Sequence, residues 1–145
     1  MPFASGSRVT AAALNRITRV DLEATVSSDL TVLTSTADVP GASITLTTTQ
    51  ANTKVKVTAS LDAEITGATD FLFGRLVVDG VDASGDVNFK VSGSNRIPVA
   101  KTWTITLGSV GSHTIKLRAY KTGTSNLVTI FSTHSKLSIS GNGIS

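Results

Sequence analysis

From Leu30 onward, apolar and polar residues alternate along the chain with a period of two. In TKVKVTASLDAEIT, Val55, Val57, Ala59, Leu61, Ala63 and Ile65 alternate with Lys54, Lys56, Thr58, Ser60, Asp62 and Glu64. That spacing places one set on a dry face and the other on a wet face of a single long strand. The same alternation recurs in DVNFKV (Val87, Phe89, Val91), KTWTITL (Trp103, Ile105, Leu107) and HTIKLRAY (Ile115, Leu117, Ala119). One-sided strands of this kind belong in antiparallel sheets, which keep one face in water. Turn-forming residues separate the runs at Pro40-Gly41, Gly67, Asp79-Gly80, Ser84-Gly85, Gly93 to Asn95, Gly108 to Gly111 and Gly123 to Asn126. The pattern predicts about eight strands, near residues 29–35, 43–48, 53–65, 71–78, 86–91, 101–107, 113–121 and 126–140, at the spacing of sandwiches and barrels.

Two runs break the alternation. FLFGRLVV carries Phe71, Phe73 and Val77 on one face and Leu72, Leu76 and Val78 on the other; NLVTIFS sets Val128 and Ile130 opposite Leu127 and Phe131. A two-layer sandwich covers only one face of each sheet, so a second apolar face needs a further cover. Two covers are open: a leader helix or long loop of the same chain, or a neighbouring subunit. The second makes Leu72, Leu76, Val78, Val128 and Ile130 candidate interface residues.

The first 28 residues read differently, as an N-terminal arm ahead of a β-domain at 29–145. Thr10 can cap a helix whose first turn is Ala11, Ala12 and Ala13, and Ala13, Ile17, Val20 and Ala24 share one face, with Leu14 beside it. A helix of about 12–15 residues is marginal alone in water, so this one should order against a surface. That surface is either its own β-domain or a partner.

Composition narrows the classes. The 145 residues fit one domain, and with no cysteine there is neither a disulfide framework nor a thiolate site. Thr and Ser number 22 and 18, charged residues are 16%, and mean hydropathy is +0.20, apolar for a soluble monomer. No apolar run approaches the roughly 20 residues of a bilayer span, so no membrane insertion is expected. The net charge of +3 resides entirely in residues 1–20, as Arg8, Arg16 and Arg19; the rest is neutral. A nucleic-acid binder spreads basic residues over a face and interleaves aromatics, which this β-domain does not do. The leader is no secretory signal, since Asn15, Arg16 and Arg19 break its apolar stretch; its Arg- and Ser-rich, acid-poor composition leaves a mitochondrial transit peptide open.

No catalytic constellation emerges. By strand parity His113 faces inward and His134 outward, and no G-x-S-x-G elbow accompanies the many serines. Asp79, Asp82 and Asp86 invite a calcium hypothesis, but the EF-hand spacing is missing and turn chemistry is the simpler use of these acids. With Glu64 the only Glu of the β-domain, paired carboxylates for glycoside hydrolysis are poorly supplied. Trp103 falls on the dry face, leaving Tyr120 as the exposed aromatic for a sugar platform. No catalytic residue, metal or cofactor is expected.

The opening, with Phe3, Gly6, Val9, Thr10, Ala11, Ala12, Leu14 and Asn15, resembles the F-x-x-G-x-x-[LV]-T-A-A-x-L-N start of tail, fibre and other virion proteins of tailed bacteriophages. The stretches GRLVVDG and ITLGSVGSHTIKLRAY, followed by a final long strand, resemble small jelly-roll modules of phage fibre and decoration proteins, similar in layout to trimeric tumour-necrosis-factor and complement-like heads. The resemblance implies an all-β jelly roll in a non-enzymatic virion component, assembled in the host cytoplasm. It implies a homotrimer whose arm binds a major capsid or tail protein. Phe3, Val9, Leu14, Ile17 and Val20 would supply apolar contacts and Arg8, Arg16 and Arg19 charge. Lacking a fibre shaft, the chain fits a capsid decoration or short spike; the alternative is a head that binds a receptor or host-surface glycan through exposed loops at Gly80 to Gly85, Gly93 to Asn95 and Gly123 to Asn126.

Overall fold

The computed structural model describes residues 10–11, 18–67, 69–89 and 95–145. Ten strands lie among them: β1 (Arg19–Thr25), β2 (Leu30–Val32), β3 (Ala37–Thr48), β4 (Thr53–Ile65), β5 (Phe71–Val78), β6 (Val81–Asp82), β7 (Val87–Asn88), β8 (Ile97–Leu107), β9 (Gly111–Thr122) and β10 (Val128–Asn142). Their pairing is antiparallel throughout. One sheet runs β1-β10-β4-β8 with β2 also on β10, and the other β3-β9-β5-β6 with β7 also on β5. β4 and β5 have the predicted bounds, β2 and β7 are shorter than the predicted 29–35 and 86–91, and the two strands beyond the expected eight are β1 and β6.

The apolar faces of the two sheets meet in one core. Leu46, Leu61, Ile65, Leu72, Leu76, Leu107, Ile115, Leu117, Ile130, Leu137 and Ile139 are almost wholly buried there. Burying each such side chain contributes about 1.5–3 kcal/mol. Trp103 and Phe89 sit in the same core, edge to face with ring centroids 6.3 Å apart.

Three expectations change. The helical stripe reached Val20 and Ala24, yet Arg19–Thr25 is a strand paired residue for residue with β10, from Arg19↔Asn142 to Thr25↔Lys136. The unpaired edge of a long β10 offers seven residues a full ladder of hydrogen bonds, and tertiary pairing overrides a marginal local helix. Residues 12–17, which carry the rest of that stripe, lie outside the described residues. Second, Pro40-Gly41 is not a turn between strands but a bulge within edge strand β3, between Asp38 and Ser43. Gly41 has φ +76°, and a Cβ there would lie 2.6 Å from the Thr25 carbonyl oxygen, so the close approach of β1 to β3 requires glycine.

Third, β5 is turned over relative to the expected parity. Leu72 and Leu76 are fully buried inside, as are Val128 and Ile130 on β10, and Val78 packs half-buried against the same core. Leu72, Leu76, Val128 and Ile130 therefore build the chain's own interior and are closed to a neighbouring subunit, while Val78 stays partly exposed. Phe71 and Phe73 face out instead. Gly74 shows why: a Cβ there would meet Phe89 at 2.6 Å, so the Leu72/Gly74/Leu76 side is the one that makes room for a buried ring.

Candidate ligand-binding surface

Of the groups that could carry chemistry, the first is closed. His113 is buried, with Nδ1 2.7 Å from Asp79 Oδ2 and Nε2 3.0 Å from the Ser109 carbonyl oxygen. Two acceptors on one imidazole require both nitrogens to donate, which favours the imidazolium. The hydrogen bond with Asp79 and that with Ser109 together raise its pKa against the opposing effect of burial. Asp79 also accepts from the Thr114 backbone N–H at 2.8 Å, and its pKa is lowered by that bond and by His113. The pair clamps the Asp79-Gly80 hairpin turn to the Ser109 turn. Both turn residues have positive φ, +51° and +85°, as a two-residue hairpin prefers.

Asp82 and Asp86 turn away from Asp79 to serve Arg75. On the outer face of β5, Arg75 Nε and Nη2 donate to the two oxygens of Asp86 at 2.7 and 2.9 Å, and Nη1 donates to Asp82 at 2.7 Å. Tyr120 donates its hydroxyl to Asp86 at 2.8 Å and stacks on Phe73 at 5.3 Å, and Arg75 lies 5.6 Å from its ring centroid. Burial raises the Asp86 pKa, but Arg75 and Tyr120 outweigh it and the net shift is downward. The expected sugar platform, Tyr120, is thus engaged by Phe73, Arg75 and Asp86. Among the described residues no three His, Cys, Asp or Glu side chains are grouped to hold a metal ion.

A second knot closes one end of the sandwich. Lys121, nearly buried, donates to Asp70 Oδ2 at 3.2 Å and to the Asn126 carbonyl oxygen, while the Asn126 backbone N–H donates to Asp70 at 3.1 Å. Burial pushes the Asp70 pKa up, and the Asn126 and Lys121 bonds bring it below the ordinary value. This joins the loop at Gly123 to Asn126 to the β4–β5 turn and leaves that loop little freedom as a ligand contact.

The open site lies on the outer face of the other sheet. β10 pairs with β4 through Phe131↔Asp62 and again from Lys136↔Ser60, so four residues, Ser132 to Ser135, face the single Leu61. Such a bulge re-aims side chains and interrupts the ladder. Its ends are pinned. Asp29 accepts from the Ser132 backbone N–H and hydroxyl at 2.7 and 2.8 Å, which lowers its pKa, and Ser135 Oγ accepts the Asp62 backbone N–H at 2.8 Å in place of a lost carbonyl. At the crest His134 adopts φ +69° and is 82% exposed.

Beside the bulge lies an open hollow of about 690 Å³, lined by Ser60, Leu61, Asp62, Arg96, Pro98, Val99, Ala100, Thr133 and His134. Arg96 places Nε and Nη2 2.7 and 2.6 Å from Asp62 Oδ2, and its guanidinium lies 4.0 Å from the Phe131 ring centroid. That contact with Arg96 holds the Asp62 carboxyl below its ordinary range, in spite of partial burial, and His134 Nδ1 stands 3.7 Å from the same oxygen. The alternation places Asp62 in a row of wet-face residues and says nothing of Arg96 or the hollow. A signal was present: Val128 and Ile130 are inward at even numbers and Leu137 and Ile139 at odd ones, and such a parity switch within one strand marks a bulge.

Of the predicted attachment residues, Phe3, Arg8, Val9, Leu14, Arg16 and Ile17 lie outside the described residues. Arg19 is exposed on β1, 3.0 Å from Asp21, and Val20 packs partly buried against the core.

No protein-family model matches the chain, and no curated protein matches it. Solved structures do match its fold. It is similar to a family 35 carbohydrate-binding module from an environmental isolate, with TM-score 0.51 and 19% identity over 79% of this chain and 71% of that one. It is similar to VP2 of an infectious bursal disease virus subviral particle, with TM-score 0.54 and 11% identity over 88% of this chain and 34% of VP2. Latent PorU from Porphyromonas gingivalis gives TM-score 0.52 and 9% identity over 86% of this chain and 13% of PorU. This chain therefore spans about a third of VP2 and a much smaller part of PorU. At these identities the likeness is one of fold. The molecule is an all-β jelly-roll sandwich, an architecture it has in common with a carbohydrate-binding module and a viral capsid protein.

Proposed function

We propose that the chain is a non-enzymatic structural protein of a tailed-phage virion, a capsid decoration or short head or tail spike, held to the particle by its basic N-terminal segment. The observation that carries this reading is the junction at Arg19. Residues 1–20 hold the whole net charge, and the chain passes from them directly into β1 at the edge of a sheet, while everything from Asp21 onward is neutral. A basic segment that runs in sequence into a sheet edge suits contact with an acidic particle surface. The phage-like opening supports the same reading, and the fold likeness to VP2 is compatible with it. If three chains associate, three segments bind multivalently and gain avidity without a larger contact per chain. Such a trimer would have to use surfaces other than Leu72, Leu76, Val128 and Ile130, which are buried. A protein that binds only the assembled particle stabilises it by mass action.

The test is co-sedimentation with particles released by the host that encodes the chain. The variant should lack residues 1–17 only, because a cut at residue 24 would remove nearly all of β1 and unpair β10. Loss of sedimentation with an unchanged melting temperature supports attachment through the segment; undiminished sedimentation overturns it. The hollow beside the β10 bulge favours a second reading, a receptor- or glycan-binding head.

A further inference from the structure

The hollow between the β10 bulge and β8 differs from the Arg75 and Asp70 clusters in opening onto an unfilled space. Asp62 Oδ2 holds Arg96 through Nε and Nη2, and Nη2 also reaches the Thr133 carbonyl oxygen at 3.4 Å. His134, Thr133 and Ser60 line the same space, and Pro98 and Ala100, opposite Asp62 and Ser60 on the outward face of β8, supply an apolar wall. A concave surface of several hundred Å³, mostly apolar with a few convergent polar groups, has the make-up of a small-ligand site.

Charge selects the ligand class. Asp62 and Arg96 neutralise one another, and Asp29 and Glu64 both act electrostatically on Arg96, so the hollow has no positive excess to attract phosphate or a polyanion. Among the described residues there is also no cluster of acids for a cation. What remains is a carboxylate and a guanidinium side by side, with hydroxyls and an imidazole around them. Each hydroxyl of a sugar both donates and accepts, so such a row can serve adjacent hydroxyls while an aliphatic wall covers the C–H face of the ring. The crest adds a second observation. A non-glycine residue at φ +69° that is also mostly exposed is backbone strain without a packing return, and strain of this kind collects at binding sites. Here it holds the imidazole at the rim of the hollow.

We infer that this hollow is a binding site for a neutral saccharide, with Asp62 and Arg96 meeting adjacent hydroxyls, His134 closing over the ring and Pro98 and Ala100 beneath it. The inference rests on the binding-head reading and not on the leader, so the two fail separately: particles lacking residues 1–17 report on attachment, and free protein reports on the hollow. It also moves ligand contact from the loops expected at Gly80 to Gly85, Gly93 to Asn95 and Gly123 to Asn126 to the face of a sheet; Gly93 and Ser94 lie outside the described residues.

The test is a titration of the full chain, followed by backbone amide NMR, with glucose, galactose, rhamnose and N-acetylglucosamine, and with inorganic phosphate and N-acetylneuraminic acid as anionic comparators. The expected result is saturable shifts for at least one neutral sugar, confined to residues 60–62, 96–100 and 131–135. His134→Gly, which relaxes the backbone and keeps the fold, should weaken that sugar at least about tenfold, the factor given by about 1.4 kcal/mol. Asp62→Asn should do the same. Shifts with none of the neutral sugars, shifts that map elsewhere, binding of the anions alone, or full binding by both variants would each overturn the inference.

Discussion

The two outer faces of the sandwich each carry an arginine held by aspartate and laid over an aromatic ring, and they differ in how completely the groups are used. On β5, Arg75 makes three charged hydrogen bonds to two carboxylates, and Asp86 also takes the Tyr120 hydroxyl. Phe73 and Arg75 occupy the surroundings of the Tyr120 ring. The cluster is complete without a ligand and ties β5, β9 and the β6–β7 segment together. At the β10 bulge, Arg96 meets one carboxylate oxygen, its side chain is 41% exposed, and a hollow opens beside it. Similar residue types thus make a surface brace in one place and a receptive surface in the other. The bulge decides which, because four residues opposite one leave the sheet face open where a regular ladder would close it.

The comparison can be broken from the inside of β5 outward. Leu76 lies on the buried side of the strand that bears Arg75. Leu76→Ala should cost about 2–5 kcal/mol in chemical denaturation, the range for a core leucine, without changing the solution mass. A small loss accompanied by dissociation would return Leu76 to a subunit interface. Gly74→Ala, which drives a Cβ against Phe89, should cost about 1–3 kcal/mol by overpacking. A neutral result would mean that Phe89 is free to shift.

The pairing of buried His113 with Asp79 gives the fold a pH dependence. The folded-state pKa of His113 is raised, so its contribution is complete below the ordinary value of 6.5 and is lost as pH rises through the folded value. That of Asp79 is lowered, so its contribution is complete above the ordinary 3.8 and is lost as pH falls through its folded value. The pair therefore stabilises the fold most between about pH 4 and 6.5. Stability measured across a pH series should decline through neutrality, and Asp79→Asn should flatten that decline. An unchanged slope in the variant would remove His113 as its source. His134→Gly should have the smallest effect: relief of the left-handed backbone and the added chain entropy, each about 1 kcal/mol, nearly cancel in a melt.

Much of the sandwich was legible in the period-two pattern, because each strand buries one face and the alternation records it; β4 and β5 appear with the predicted bounds. Three features were not legible, each for a physical reason. β1 is ambiguous, because Val20 and Ala24 extend the helical stripe of Ala13 and Ile17 while Val20, Leu22 and Ala24 also alternate with a strand's period of two, and the free edge of β10 decides for the strand. β5 is apolar on both sides, so its parity depended on Gly74 making room for a ring distant in sequence. The candidate site depends on a bulge, and a bulge shows in a sequence only as a change of parity, from Val128 and Ile130 to Leu137 and Ile139. His113, by contrast, was placed correctly on the inward face by simple alternation, and His134 on the outward one.

The central claim, that one arginine cluster is a brace and the other an open site, is tested most directly by melting Arg75→Ala and Arg96→Ala side by side without ligand. The account predicts a clear fall in Tm for Arg75→Ala, which unpairs two carboxylates, and a smaller fall for Arg96→Ala, which unpairs one, Asp62. Equal losses, or a larger loss at Arg96, would contradict it and make the β10 hollow another structural brace.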